Sequence, residues 1–188
     1  PETIDKSTID RLERQITALK PYLMPQIPKR YIEQNSELEL GEFRTVSVLF
    51  VHYSSVGTII DILNEDPELA AHLLNVFYKH IQAVIHSYGV VINKVDTATS
   101  GNKIMALFGA PVAHGDDALR AVRCALELTH VIEHSNHEIA EILNEYQANL
   151  SDKSSFDEYF AFQQRIGIST GTVFAGLVGA KERHEYTV

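Results

Sequence analysis

Three groups of side chains have the type and spacing to do chemistry. His52 closes the run "RTVSVLFVHYSSVG", in which Val46 to Val51 read as a buried strand that gives way to an imidazole, a phenol and two hydroxyls. Strand ends are where α/β architectures place reactive groups, yet this one carries no acid. Neutral imidazole suits zinc or copper better than magnesium, while the simpler role is a strand-end histidine bonded to backbone. Lys94 and Asp96 form the second group, since residues two apart in an extended segment share a face. Asp96 can offer a carboxylate to a cation, neutralise Lys94, or cap the turn that follows. The third group is His130, His134 and His137, gathered near one helix end at spacings that match no zinc site. Gly171, Gly176 and Gly179 fit neither a Walker nor a dinucleotide fingerprint and suit a hairpin turn and close strand packing.

The elements that must position these groups are legible from periodicity. Residues 1 to 43 read as a helical arm and linker: "TIDRLERQITALKPYL" has helical spacing, Pro21, Pro25 and Pro28 break it, and "EQNSELELGE" follows. The apolar stripe of "ITALKPYLMPQI" suits core or dimer packing, because no basic face supports a membrane role. A first strand starts at Arg44. "DPELAAHLLNVFYKHIQAVIHSYG" is a helix with Asp66 as cap, Pro67 in the first turn and Gly89 as its stop. "VVINKV" and "KIMALFG" are strands joined through "DTATSGN". "DDALRAVRCALELTHVIEH" is a second helix, with Asp116 and Asp117 at its positive end and Cys124 as a small buried hydrophobe. From 135 to 164 the pattern loosens: "NHEIAEILNEYQANL" can be helical, and the segment as a whole reads as an insertion. "RIGIST", a turn at Gly171-Thr172, and "VFAGLVG" give a last hairpin. The fold class is α+β: a ferredoxin-like βαββαβ, antiparallel-rich sheet with an extra hairpin.

Composition narrows the function. A formal charge of −9 argues against a general nucleic-acid or anionic-membrane binder, so any polyanionic ligand must be small. No apolar run approaches the roughly 20 residues a bilayer span needs. The first residues lack the apolar core of a secretory signal, and the single Cys124 leaves no disulfide framework, which together point to a cytoplasmic setting.

Three segments in order, "RTVSVLF", "NKV…GNKIMALFGAPVAHGDDALRAVRCALEL" and "RIGISTGTVFAGLVGAKERHEYTV", resemble the catalytic domain of class III nucleotidyl (adenylate/guanylate) cyclases over residues 44 to 133 and 165 to 188. The resemblance implies that residues 44 to 188 are a cyclase homology domain whose C-terminal end, with the family's Asn and Arg, lies beyond Val188. It implies ATP or GTP closed to the 3′,5′-cyclic nucleotide with release of pyrophosphate, in a head-to-tail hetero- or homodimer with another cyclase domain. In that family two aspartates of one partner hold two divalent ions, Mg or Mn, for two-metal catalysis.

Against that pattern the first strand departs, because His52 stands where the family has one metal aspartate and Asn102, in the pair Gly101-Asn102, where it has the other. The purine side is better matched. Lys94 corresponds to the base-selecting lysine, Thr187 to the residue that reads the purine amino group, which points to adenine, and Arg183 in "RHEYTV" lies near the phosphates. The longer hairpin, the missing acids and this ending resemble the degenerate second cyclase half of soluble adenylyl cyclases. The implied function is the purine-binding, metal-deficient half of a cyclase dimer, with no catalytic residue or metal of its own and ATP as ligand. The alternatives are an inactive pseudo-cyclase used for dimerisation or nucleotide sensing and, less favoured by these substitutions, a homodimeric cyclase that recruits Asp96 or another acid for metal.

Overall fold

The computed structural model describes residues 5–19, 41–54, 64, 66–90, 92–98, 101–149, 161–180 and 183–188. In chain order these hold α1 (Lys6–Leu19), β1 (Glu42–Ser54), α2 (Pro67–Ser87), β2 (Ile92–Ala98), β3 (Gly101–Phe108), α3 (Asp117–Asn149), β4 (Gln163–Ala180) and β5 (Arg183–Thr187). The chain divides into two compact units, Phe43–Phe174 and Pro1–Glu42 with Ala175–Val188.

The larger unit carries the sheet, in the order β2-β3-β1-β4. Both β2 and β1 run antiparallel to β3. This is the order the ferredoxin-like reading requires, because each helix returns the chain across one face before the next strand is laid down. Alternation decides which face is covered. Leu49, Val51 and Tyr53 of β1 and Ile104, Ala106 and Phe108 of β3 are buried and join Leu73, Phe77, Ile81 and Ile85 of α2 and Cys124, Leu128 and Ile139 of α3 in one core. The residues between them, His52, Phe50, Lys103 and Met105, point to the opposite face.

Helix α2 begins as its sequence directs. Asp66 accepts from the Leu69 N–H at 2.9 Å, Pro67 occupies the first turn, and Gly89 follows the helix at φ +77°. Gly109, just past β3, has φ +103°, and a Cβ there would meet the Thr45 carbonyl oxygen at 2.8 Å, so only glycine lets the chain leave the sheet so close to β1. Cys124 is fully buried, and burial pushes its thiol up to about 12.

Two expectations change. Helix α3 does not stop near His134 but continues to Asn149, so residues 135–149 of the segment read as an insertion are helical. Ile139 and Leu143 keep it in the core. At the far side of the segment Phe162 stacks on Phe77 with ring centroids 4.0 Å apart, and Asn136 brackets its backbone, donating to the Phe162 carbonyl at 3.0 Å and accepting from its N–H at 2.8 Å. Residues 150–160 lie outside the described residues. The second change is at Gly171-Thr172, which is no turn: β4 runs straight through it, held to β1 by a 2.7 Å hydrogen bond between the Ser47 and Thr170 hydroxyls. A Cβ at Gly171 would meet nothing within 4 Å, so the glycine is tolerated rather than required.

In the smaller unit, α1 has no buried residue and its apolar positions Ile9, Leu12, Ile16 and Leu19 are exposed. The three prolines expected to end that helix and the linker up to residue 40 lie outside the described residues. The C-terminal part of β4 pairs with β5, Gly176 opposite Thr187 and Ala180 opposite Arg183. Among the described residues no helix is long and apolar enough to cross a membrane.

Candidate functional site

The open face of the sheet is organised in rows set by strand register. Asp96 of β2, Lys103 of β3 and His52 of β1 are successive partners across the sheet, and the next row is Lys94, Met105 and Phe50. Directly paired residues of an antiparallel ladder share a face, so two cations, one carboxylate and one imidazole are brought together there. Lys94 and Asp96 form an ion pair at 3.4 Å, each about half exposed (49% and 52%). Such a pair contributes at most about 1 kcal/mol, which leaves the lysine available to a ligand.

Lys94 reaches this face through a β-bulge. Ile92 pairs with Ala106 on the core side, but Lys94 pairs with Met105, so Asn93 is an extra residue in the ladder. In an unbulged ladder, with Asn93 paired in turn, Lys94 would follow Ile92 onto the core face two residues later. The bulge reverses the phase and turns the ammonium outward, the re-aiming that such irregularities achieve next to functional sites. The sequence carries no plain mark of this, since Asn in a short polar strand has many uses.

His52 and Asn102, which the resemblance in sequence set at the metal-carboxylate positions, are not placed side by side. Asn102 is opposite Tyr53, one step along the ladder from the His52 row. Tyr53 is fully buried against Phe77 and hydrogen-bonds the Tyr78 hydroxyl; burial, then that bond, pushes its own hydroxyl well above the ordinary phenol range. Asn102 therefore shares the core-side row, whereas His52 shares the open row with Lys103. Lys103 is the residue sequence reasoning passed over; the register of the hairpin, in which Ala98 meets Gly101, is what exposes it.

This arrangement does not fit a pair of hard divalent ions. Its carboxylate, Asp96, already faces two lysines, and a unit positive charge about 5 Å from a dication opposes it by roughly 2 kcal/mol even at the dielectric of bulk water. Thr187, half-buried, and Arg183 are placed on β5 of the smaller unit, at its two ends. The hairpin residues Thr99 and Ser100 lie outside the described residues.

Comparison with known proteins agrees with the fold. Residues 38–188 match the family described as "Adenylate and Guanylate cyclase catalytic domain". The chain belongs to that family. Among solved structures, the guanylyl cyclase Cya2 superposes on 78% of this cyclase domain and 64% of its own chain, with a TM-score of 0.57 and 26% identity. Human adenylate cyclase type 10 is 27% identical over 91% of the domain, and adenylate cyclase 1 of Rhizobium meliloti 28% over 86%. The domain spans 9% of the human protein and 22% of the bacterial one.

Proposed function

We propose that this cyclase domain is the purine-binding, metal-deficient half of a cyclase pair. Its partner, a second cyclase domain joined head to tail, supplies both metal carboxylates. The observation that carries the reading is the Asp96–Lys103–His52 row: it sets an ammonium beside the imidazole at position 52, which the resemblance aligns with a metal carboxylate, while the Asn93 bulge turns Lys94 outward beside it.

In this reading Lys94 hydrogen-bonds the purine edge, Thr187 reads the amino group and favours adenine, and Arg183 balances phosphate charge. None of these groups attacks or takes a proton. Their work is to hold the base and triphosphate in register with chemistry performed by the partner's carboxylates and their Mg or Mn. The open sheet face suits such a partner, since Phe50 stands 41% exposed among the polar rows.

The test is to mix the purified chain with a cyclase domain that has both metal aspartates but a disabled purine side, and to follow cyclic AMP. Activity in the mixture that falls with Lys94→Ala supports the reading. Tight association without activity would instead favour a pseudo-cyclase that uses the fold for dimerisation.

A further inference from the structure

Away from the sheet rows, α2 and α3 bring three potential ligands together. His80 of α2 and His134 and Glu138 of α3 each offer one donor atom, and these lie within 4.8 Å of one another. The imidazoles of His80 and His134 have centroids 5.0 Å apart, inclined at 36°. His134 and Glu138 are one helical turn apart on α3, so one face of that helix presents both. Sequence spacing hides the group, because its first member lies 54 residues upstream on another helix.

The hydrogen bonds around His80 bear on what its second nitrogen does. Buried Ser135 can donate its hydroxyl proton to the Val131 carbonyl at 3.0 Å while its oxygen accepts from His80 Nδ1 at 2.9 Å, an assignment that satisfies both contacts at once. With the proton on Nδ1, a neutral His80 has only a lone pair at Nε2, and Nε2 stands 3.2 Å from Glu138 Oε2. Two acceptors at that distance repel unless a proton, which makes the imidazolium, or a metal ion joins them. Four ligands placed tetrahedrally about zinc at about 2.0–2.1 Å lie about 3.3 Å apart, close to the 3.2 Å between His80 and Glu138, with the His134 donor within 4.8 Å of both. The Ser135 bond has the form of the outer support that orients a metal-binding imidazole.

We infer that His80, His134 and Glu138 form a zinc site that ties α2 to α3, with water in the fourth position. Two imidazoles and a carboxylate suit zinc and not the magnesium of nucleotide chemistry. His134, exposed, closes onto the ion by side-chain rotation. The site lies on the helical side of the sheet, opposite the Lys94 and His52 rows.

Titration of the tag-free 188-residue chain with zinc, by calorimetry and with cobalt(II) as an absorbing substitute, tests this. One strong site is expected, with the intense visible bands of tetrahedral cobalt. His134→Ala and Glu138→Gln, both at accessible positions, should each lower affinity at least about tenfold, and Ser135→Ala about tenfold through orientation alone. His137→Ala, which removes an exposed imidazole paired with Glu141, should leave it unchanged. Zinc should raise the melting temperature of the unaltered chain and of His137→Ala but not of His134→Ala. Affinity within twofold of the parent in both His134→Ala and Glu138→Gln overturns the site and leaves His80 and Glu138 as a plain imidazolium–carboxylate pair.

Discussion

His52 and Lys103 stand directly opposite one another across β1 and β3, on the face of the sheet that the helices leave open. A carboxylate introduced at 52 would meet an ammonium before it met a metal ion. His52→Asp alone should therefore gain little manganese affinity, while His52→Asp with Lys103→Ala should gain clearly more, as read by electron paramagnetic resonance of free manganese. Equal gains in the two variants would mean that Lys103 does not govern the row.

Lys94 separates binding from stability. Its pair with Asp96 is half exposed, so Lys94→Ala should change the unfolding free energy by no more than about 0.5 kcal/mol. The same change should weaken binding of a fluorescent ATP analogue about tenfold, the worth of roughly one charge-assisted hydrogen bond. Asp96→Asn, which releases the lysine, should bind the analogue at least as well as the parent. Unaltered affinity in Lys94→Ala would remove the purine role.

The Phe162 anchor is a stability feature. Phe162→Ala removes a ring stacked on Phe77 and should cost about 3–5 kcal/mol. Asn136→Ala strips partners from both the N–H and the carbonyl of Phe162 and should cost about 2 kcal/mol. Urea midpoints that fall at constant slope would show both as losses of stability alone; an Asn136→Ala midpoint equal to the parent's would show that water replaces the bracket freely.

Acid sensitivity should come in part from helix entry. The Leu69 N–H, then the Tyr146 side chain, hold the Asp66 carboxyl below its ordinary 3.8, and Arg120 does the same for Asp116. A carboxyl whose folded value is depressed stabilises the fold above its unfolded value, and that contribution is lost as pH falls through the lower folded value. Asp66→Asn keeps an acceptor for the Leu69 N–H without a titrating charge. Its melting temperature should lie below the parent's at pH 7 and converge on it as pH falls below the carboxyl's ordinary 3.8; a gap that widens in acid would contradict the sign.

Much of this was legible in the residues, for reasons that are local. The apolar run Val46 to Val51 marked β1 as a strand, though not which face is covered, and Asp66, Pro67 and Gly89 bounded α2 because caps and turns act through their nearest backbone. What escaped depends on partners far along the chain. The bulge at Asn93 exists only in the register with β3, and Gly171 looks like a turn until β1 is laid beside it through Ser47 and Thr170. His80 joins His134 and Glu138 only after the helices pack. That His52 and Asn102 stand where the resemblance would have acids was a reading of sequence; that Lys103 occupies the row of one and Tyr53 the row of the other was not legible there.

The most direct measurement is cyclic AMP production from ATP by the purified chain alone, with saturating manganese. The expected result is no turnover above a no-protein control, with turnover appearing when an acid-complete cyclase domain is added. Manganese-dependent turnover by the chain alone, abolished by Lys94→Ala, would contradict a metal-deficient half.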